Sequence, residues 1–559
     1  MELLDSRRLT GPNLLWNQCG AVIDVRFKDE EKSVIEHWNN YAGAILEAIG
    51  WGAQKTCIRF YPQGASLAIS APIDVLYSAT EINEWCWQHA VNAFSGHKDP
   101  DIQKAAEEFT LMLEEEANAD VLRLKQLADL NNLPFLRDDD EVSLGLGRHS
   151  RTWSVANLPD AQELEISTFK KIPVGLITGT NGKTTSVRLA AHIVRVAGLN
   201  AGISSTDWIA VNDQIIDTGD YSGPGGARSV LRDKRVDVAI LETARGGLLR
   251  RGLGVEIADA ALITNIAEDH MGEFGVQTLD ELADVKWIVT SVVGETGRVV
   301  LNADDPLLVS RAKKSNLNIV WFSADHDNAI IKQTIAQSGR ACTVEKQGFI
   351  YYENGNRHDL LSLAGVPITL GGAATHNVQN TLGVIGFTHA LGMSLADISL
   401  GLRTFSDKDN PGRCNQFLIN GARFIVDFAH NPHGMKAFMS VARNLDAQRK
   451  FLVTGQAGDR SDEDIKSLAR ESIRDVEFDK IIIKHMLKYS RGRKSGETAE
   501  ILKREFIKHG QDETRISMIE DELDAVDLAI NWAKPGDLVL LLIHEHRSEV
   551  LEKLSALSN

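Results

Sequence analysis

Cysteine and proline are scarce in this chain of 559 residues, and long apolar runs are missing. The five cysteines are scattered and form no Cys-x-x-Cys pair, which fits neither a disulfide framework nor a zinc site. With only 13 prolines and 43% hydrophobic residues, the composition is not that of a disordered or fibrous chain. No stretch approaches the length that crosses a bilayer, and residues 1–8 lack the apolar run of a signal peptide. These absences predict a folded, cytoplasmic protein.

Positive charge is also in deficit. Lys and Arg number 60 against 77 Asp and Glu, which gives a formal net charge of −17 at pH 7. A field of this sign repels phosphate backbones and anionic lipids, so neither nucleic acid nor a membrane is expected as a partner. At roughly 100 to 200 residues per domain, the length leaves room for about three or four domains.

Changes in the hydrophobic periodicity of the sequence divide the chain into three predicted domains. Residues 1–165 mix helical periods, one of them over 101–130, with an apolar run at 66–75 that predicts a strand. Short β-branched runs alternate with helical periods over 166–408 and again over 409–559, which is typical of parallel sheets covered by helices. The predicted fold class is therefore α/β, with a mixed α+β N-terminal domain, a central parallel-sheet domain and a C-terminal Rossmann-like α/β domain.

One glycine-rich turn stands directly between a predicted strand, 172–178, and an amphipathic helix that runs to about Ala197. The backbone N–H groups of such a turn and the helix N-terminus form a concave phosphate site, to which a lysine adds charge and a threonine a hydroxyl for Mg²⁺. The longer P-loop form would need glycine at Ile177, so this is the shorter Gly-x-x-Gly-Lys-Thr-Thr form. We predict a nucleoside triphosphate site, and hence an ATPase domain, at Gly179, Thr180, Asn181, Gly182, Lys183, Thr184 and Thr185.

Further candidates follow the ends of later predicted strands, where an open α/β sheet binds its ligands. Glu242 is aimed at the same crevice as the glycine-rich turn, either as a magnesium ligand or as a capping or salt-bridged side chain. His270 follows two acids after the next strand and is a candidate ligand or acid/base. Lys286, taken alone, is interpreted as a solvated residue of a helix over 278–293.

Polar clusters at other strand and helix ends offer donors and acceptors that suit a base, a ribose or a carboxylate. In isolation, those of the last domain are as readily explained as turn residues. The candidates are Asn302, Asp304 and Asp305 in the middle domain, His376 and Asn377 at a helix start, and Arg413, Asp427, His430, Asn431, Arg491 and Arg493 in the last domain.

Together and in this order, these segments resemble the Mur ligase superfamily of ATP-dependent amide-bond ligases and, within it, the Mur-like half of the cyanophycin synthetases. The N-terminal segment is similar to the N-domain of the latter at 5–13 and 146–149. The ATP-grasp domain that stands between those two parts in the cyanophycin enzymes is missing, because Arg148 lies shortly before the strand at 172–178.

The resemblance implies a role for each candidate. Lys183 would contact the β- and γ-phosphates. The two implied magnesium sites would be formed by Thr184, Glu242, His270 and Lys286, with Lys286 carbamylated and therefore anionic. The nucleotide would also meet Asn302, Asp304, His376, Asn377 and Arg413. Asp427 would be catalytic, and the substrates would be met by Arg245, His430, Asn431, Arg491 and Arg493.

The activity implied by the resemblance is an ADP-forming ligase that uses ATP and Mg²⁺ to join a carboxylate to an amine through an acyl phosphate, on a peptide or poly(amino acid) acceptor. The relatives imply self-association, and a separate ATP-grasp protein would supply the missing activity. One alternative is an inactive Mur-like scaffold, against which the presence of Lys183, Glu242, His270 and Lys286 argues. Another is a P-loop NTPase switch, which leaves the segments at 376–380 and 426–432 unexplained.

A basic stretch over 484–488 precedes Arg491 and Arg493. If this stretch faces the amine substrate, like charge disfavours a cationic amino acid and favours an acidic or neutral one. A solvated basic surface is the alternative interpretation.

Overall fold

A computed structural model describes residues 1–269 and 271–558, and the strands of this part form four sheets. A four-stranded and a three-stranded sheet lie near the N-terminus, an eleven-stranded sheet lies in the middle and a six-stranded sheet lies near the C-terminus. The predicted α/β class is confirmed, since the two large sheets are mainly parallel and carry helices.

The first sheet is antiparallel, with the strand order β1-β2-β4-β3. Its strands are β1 (Glu2–Leu9), β2 (Gly20–Arg26), β3 (Thr56–Tyr61) and β4 (Gly64–Ser70). Its helices are α1 (Val34–Ala48), α2 (Leu76–Phe94), α3 (Ile102–Glu116) and α4 (Ala119–Leu130), and the small sheet is β5 (Phe135–Arg137), β6 (Glu141–Leu144) and β7 (Arg151–Ser154). The helical period over 101–130 is two helices, because Asn118 accepts hydrogen bonds from the backbone N–H groups of Asp120 and Val121 and so starts α4.

The middle sheet has the order β11-β10-β9-β12-β8-β13-β14-β15-β16-β17-β18 and is parallel from β9 to β16. Its strands are β8 (Val174–Thr178), β9 (Ala201–Ser204), β10 (Trp208–Val211), β11 (Gln214–Thr218), β12 (Val238–Glu242), β13 (Ala258–Ile263), β14 (Val293–Asn302), β15 (Ile319–Ser323), β16 (Arg340–Glu345), β17 (Gly348–Glu353) and β18 (Asn356–Ser362). The helices are α5 (Lys183–Val196), α6 (Pro224–Arg232), α7 (Arg245–Arg250), α8 (Leu279–Trp287), α9 (Pro306–Ala312), α10 (Ala329–Ala336), α11 (Thr375–Ala390) and α12 (Leu395–Thr404).

Two apolar clusters, one on each face, bury this middle sheet. Strand β8 lies near its centre and all five of its residues are buried, which explains the continuous apolar run in the sequence. The carboxyl ends of β8, β12, β13 and β14 therefore meet at one edge, and this edge carries the glycine-rich turn.

The last sheet has the order β19-β20-β24-β21-β22-β23 and is parallel except for β19. Its strands are β19 (Asn415–Ile419), β20 (Ala422–Asp427), β21 (Lys450–Thr454), β22 (Lys480–Lys484), β23 (Ile516–Ile519) and β24 (Leu538–Leu542). Its helices are α13 (Pro432–Asn444), α14 (Asp462–Ile473), α15 (Glu497–Lys508), α16 (Glu522–Trp532) and α17 (Arg547–Leu557). Among the described helices, none has the length and apolar character needed to cross a membrane.

The first residue of the basic stretch, Lys484, is fully buried at the end of β22. Its ammonium group contacts the buried carboxylate of Glu522 and lies 3.1 Å from Nδ1 of His544. Glu522 also accepts hydrogen bonds from the backbone N–H groups of residues 544–546. Neither sequence interpretation holds for Lys484, since its charge is neutralised inside the domain and is neither solvated nor presented to a substrate.

Removal of this buried cation tests its structural role. We expect Lys484→Met to lower the free energy of unfolding by about 3–5 kcal/mol, because Glu522 is left as an uncompensated buried charge. Lys484→Met combined with Glu522→Met should recover most of that loss, since no buried charge remains. Urea denaturation followed by tryptophan fluorescence measures both, with Lys480→Met at the other end of β22 as the control. A double variant as unstable as the single one would contradict this account.

Candidate active site

The glycine-rich turn links β8 to α5 through a left-handed bend. Gly182 has φ 84° and precedes the first residue of α5. A Cβ atom at Gly182 would lie 2.2 Å from Oδ1 of Asn380, and one at Gly179 would lie 1.9 Å from Oγ1 of Thr264. Neither position therefore has room for a side chain. The turn leaves the unpaired N–H groups of the first turn of α5 facing the crevice, which suits a phosphate group.

The side-chain nitrogen atoms of Lys183 and Lys286 meet at this turn. Nζ of Lys183 donates to the carbonyl oxygens of Gly179 (3.1 Å) and Thr180 (3.0 Å). Nζ of Lys286 donates to the same Gly179 oxygen at 2.8 Å. Lys286 is only 4% exposed, so the interpretation of a solvated helix residue is wrong. Burial lowers the pKa of Lys286 well below its usual value, and the charge of Lys183 lowers it further.

Glu242 lies at the end of β12 beside two threonine hydroxyl groups. Thr184 donates to Oε2 of Glu242 at 3.0 Å, and Thr206 donates to Oε1 at 2.6 Å. The carboxylate is 2% exposed. These oxygens fit Mg²⁺, which binds few protein groups and completes its octahedron with water and phosphate oxygens. Of the predicted magnesium ligands, His270 lies outside the described residues.

The polar cluster after β14 stabilises the crevice wall. Asn302 donates to the carbonyl oxygen of Thr264 (3.1 Å) and accepts from the N–H group of Asp304 (2.9 Å). Asp304 also accepts from Nε2 of Gln379 at 2.9 Å. Asp305 caps α9 and accepts from the N–H group of Ile266 at 2.7 Å. Asn302, Asp304 and Asp305 all line the cavity described below, and Asp305 is in addition the capping residue of α9.

The start of α11 contributes His376 and Asn377, as the sequence predicts. Asn377 is buried, donates to the carbonyl oxygen of Ile368 (2.9 Å) and accepts from Asn380 (3.1 Å). Burial lowers the pKa of His376, and its Nδ1 atom has no hydrogen-bond partner among the described residues. Both residues line the cavity, where His376 can donate to or accept from a ligand.

The C-terminal domain contacts the glycine-rich turn directly. The side chains of Asn181 and Asn431 exchange hydrogen bonds of 3.3 and 3.0 Å, and Asn431 also caps α13 by accepting from the N–H group of Gly434. Arg460 of the C-terminal domain donates to Asp269 of the middle domain at 2.9 Å. The two domains are therefore in contact at the predicted nucleotide site.

Asp427 and His430 follow β20 and line the same cavity. Asp427 accepts from the N–H groups of Cys414 and Ala429, both at 2.9 Å. Nδ1 of His430 lies 3.1 Å from the carbonyl oxygen of Phe428. Burial lowers the pKa of His430 to about 4. The imidazole is therefore neutral at pH 7, with Nδ1 as the donor and Nε2 available as an acceptor.

A cluster of three arginines around one aspartate joins the domains and was missed by sequence reasoning. Asp207 accepts from Arg188 at 2.5 Å and from Arg547 of α17 at 2.8 Å, and Arg413 lies 3.7 Å from it. Burial alone would raise the pKa of Asp207, but the three guanidinium groups outweigh it and lower the pKa. Arg413 also lies over the ring of Phe428, at 4.5 Å from its centroid.

Of the three remaining arginines predicted to meet the substrates, two line the cavity and one does not. Arg245 and Arg491 line the cavity, where Arg245 is paired with Glu273 and Arg491 with Asp459. Arg493 instead donates to the carbonyl oxygens of its own region, at 458 and 460, and does not line the cavity. Sequence reasoning also missed the cavity cations of α13, Lys436 and Arg443, because they occur in no motif.

One cavity of about 1660 Å³ connects the residues identified above as lining it. Its wall includes the glycine-rich turn, Glu242 and Lys286 from the middle domain, and Asp427 and His430 from the C-terminal domain. A volume of this size exceeds that of a typical small-molecule site and accommodates a nucleotide together with a second substrate.

Residues 177–388 match the Mur ligase middle domain, and residues 412–542 match the glutamate ligase domain of the Mur ligases. Through these two domains the chain belongs to the Mur ligase family, as its sequence motifs predict.

The chain is 37% identical over 394 residues to the cyanophycin synthetase of Synechocystis sp. (strain ATCC 27184 / PCC 6803 / Kazusa), an alignment that covers 70% of this chain and 44% of that protein. It is 24% identical over 387 residues to the UDP-N-acetylmuramoyl-L-alanyl-D-glutamate–2,6-diaminopimelate ligase of Bacillus velezensis, covering 66% of this chain and 73% of that ligase. The chain thus spans less than half the length of the cyanophycin synthetases that it matches.

A solved structure supports the fold. The E. coli FolC protein in complex with ADP superposes with a TM-score of 0.51 at 19% identity, covering 69% of this chain and 89% of FolC. At this identity the likeness concerns the fold of the two large domains.

The lowered pKa of His430 gives a pH-dependent prediction. Between about pH 6.5 and pH 4 the unfolded chain binds a proton at this side chain that the native protein does not, so stability is lost as the pH falls through this window. His430→Gln should therefore lose about 2 kcal/mol less stability than the wild type between pH 7 and pH 5, measured by urea denaturation. His97→Gln, at an exposed position, is the control. An unchanged pH dependence in His430→Gln would overturn the assignment.

Proposed function

We propose that this chain is an ATP-dependent carboxylate–amine ligase that releases ADP and phosphate. The observation that carries the proposal is the single cavity that joins the phosphate-binding turn and Glu242 to Asp427 and His430 of the facing domain. Such an arrangement brings a triphosphate, an acid and an amine into one enclosed space. The similarity to cyanophycin synthetase over both domains supports the same class of reaction.

The reaction begins at the phosphate-binding turn. A carboxylate oxygen of the acceptor attacks the γ-phosphorus of ATP, the bond to the β,γ-bridging oxygen breaks and ADP leaves, which forms an acyl phosphate. The N–H groups at the start of α5 and the ammonium group of Lys183 stabilise the negative charge that spreads over the transferred phosphoryl group. We propose that the nucleotide contacts Asn302, Asp304, His376, Asn377 and Arg413, all of which line the cavity.

Mg²⁺ would be held by Thr184 and Glu242, and when bound it neutralises phosphate charge and orients the phosphoryl oxygens. His270 is proposed as a ligand of a second ion. Lys286 belongs to this centre in a carbamylated form. Burial favours that form because the neutral amine is the species that reacts with carbon dioxide.

The second half of the reaction belongs to the C-terminal domain. The amine nitrogen attacks the acyl carbon, the bond to the phosphate oxygen breaks and phosphate leaves, while the amine gives up a proton. The acyl phosphate must be kept from water, and the contacts of Asn431 with Asn181 and of Arg460 with Asp269 hold the two domains together over it. We propose that Asp427 and His430 face the amine in this closed arrangement. Arg493 is a weaker candidate, since its contacts stabilise its own loop.

We propose that residues 1–165, 166–408 and 409–559 are three functional units. We propose an acceptor or partner docking role for the first unit, ATP binding for the second and closure with amine binding for the third. The acceptor is a peptide or poly(amino acid), a separate ATP-grasp protein supplies the complementary step, and the enzyme self-associates. An inactive scaffold is not favoured, because Lys183, Glu242 and Lys286 converge on one site.

The decisive experiment is product formation, detected by mass spectrometry from a library of carboxylates and amines with ATP and Mg²⁺. We expect Lys183→Ala and Glu242→Gln to lower the rate by about 10²–10³-fold, since each loses charge stabilisation that forms in the transition state. Lys104→Ala, a highly exposed position on α3, is the matched control and should keep the full rate. Chelation of Mg²⁺ with EDTA should abolish turnover.

Phosphate release that no carboxylate or amine stimulates would contradict the ligase and favour a nucleotide-binding module. Binding of ADP should also raise the melting temperature of the wild type, by an amount that grows with the logarithm of the ADP concentration above the Kd, and Lys183→Ala should lose most of that shift. This binding measurement separates a failure of nucleotide binding from a failure to find the right acceptor.

A further inference from the structure

One arm of the cavity leads away from the nucleotide, along α6 and α7 toward the N-terminal domain. It is lined by residues 222–225, which run from the loop before α6 into its first turn, and by four arginines, Arg228, Arg245, Arg250 and Arg251. We propose that this arm, named here the arginine arm, binds an acceptor with several carboxylates, so that the substrate is an acidic peptide or poly(amino acid). This inference rests on the proposed ligase function and names its acceptor class.

The charges of the arginine arm do not cancel. The acidic side chains that line it are Asp220, which accepts from the N–H and hydroxyl groups of Ser222, and Glu273, which is paired with Arg245. Asp138, which does not line the cavity, lies 3.7 Å from Arg228 and pairs more closely with Arg232, at 2.5 Å. Among the described residues, neither Arg250 nor Arg251 has an acidic side chain at salt-bridge distance. In a chain with 77 acidic and 60 basic residues, an excess of cations inside a cavity is the reverse of the average surface.

The guanidinium groups of the arginine arm have N–H donors that are not fully used within the protein. Nε of Arg228 is buried without a hydrogen-bond partner among the described residues, and this side chain lies only loosely, at 3.7 Å, against Asp138. Arg251 makes a long contact of 3.4 Å with the carbonyl oxygen of Arg8. Arg250 is exposed and lies 5.8 Å from the ring centroid of Phe274. Carboxylates are the natural partners of such guanidinium groups, since the two planar groups pair through two parallel hydrogen bonds.

The backbone keeps the arm open and anchors its far end. A Cβ atom at Gly225 or Gly246 would meet nothing within 4 Å, so both glycines face open space. At the far end, the N–H group of Thr10 donates to the carbonyl oxygen of Arg251 at 2.9 Å, and the N–H group of Leu253 donates to that of Pro12 at 2.7 Å. An extended acceptor can therefore lie from the Glu242 end of the cavity toward the N-terminal domain.

The two ends of the cavity thus have different tasks. The terminal carboxylate of the acceptor lies near Glu242 and Lys183 and is activated there, whereas its other carboxylates lie on Arg228, Arg250 and Arg251. A neutral acceptor would leave these guanidinium groups unpaired, so the arm selects acidic chains by charge.

The test uses fluorescein-labelled hexaglutamate, hexaaspartate and hexaglutamine in fluorescence anisotropy, with the wild-type chain saturated with AMPPNP and Mg²⁺. We expect an acidic hexapeptide to bind at least about tenfold more tightly than hexaglutamine. Arg250→Gln and Arg251→Gln should each weaken acidic-peptide binding by about tenfold, the size expected for one charge-assisted pair. Arg123→Gln, at an exposed position on α4, is the matched control and should bind like the wild type.

Equal affinity for the acidic and neutral peptides, or acidic-peptide binding that survives Arg250→Gln combined with Arg251→Gln, would overturn the proposal. Displacement of the acidic peptide by AMPPNP would also overturn it, because the peptide would then occupy the phosphate site. Repeating the titration without nucleotide separates the two hypotheses. If acidic peptides bind the arginine arm but the chain does not bind AMPPNP, the proposed ligase function is refuted and the acceptor site is not. If the chain ligates a neutral acceptor, the role proposed for the arginine arm is refuted and the ligase function is not.

Discussion

The left-handed bend at Gly182 is the constraint on which the rest of the site depends. It directs the N-terminus of α5 into the crevice, and it is packed so closely against Asn380 and Thr264 that neither glycine of the turn tolerates a Cβ atom. The same turn receives hydrogen bonds from Lys183 and Lys286. The ammonium group of Lys183 and a helix N-terminus at one turn create a positive point, which an anion such as a triphosphate would neutralise.

The C-terminal domain faces this positive point. Asn431 contacts the turn, and Arg547 reaches across to Asp207, so the C-terminal domain closes the cavity instead of merely following in the chain. The N-terminal domain meets the opposite end, where Thr10 pairs with the backbone of Arg251. On the function proposed above, the cavity would present a nucleotide end, a reaction centre and an arginine-lined acceptor end, in the order that an activated carboxylate requires.

Much of this could be predicted from local patterns, and the failures have a common cause. The strand before Gly179 and the helix after Gly182 were predicted because a fully buried parallel strand is continuously apolar. The helical period over 101–130 did not predict the helix start at Asn118, because a break between two helices that contains no glycine or proline leaves the hydrophobic periodicity unchanged. Lys286 was interpreted as solvated because a short helix does not reveal which of its faces is covered by neighbouring elements.

The sequence by itself determined the order of strands and helices, the phosphate-binding turn and the polar residues at strand ends, because these follow from the chemistry of neighbouring residues. Only the tertiary structure decided which of those residues meet. The Asp207 cluster joins residues 340 positions apart. The cations of the arginine arm come from α6, from α7 and from Arg251 just after α7, and no sequence motif connects α6 with that later segment. Such contacts depend on how sheets and domains pack, and packing is a property of the whole chain.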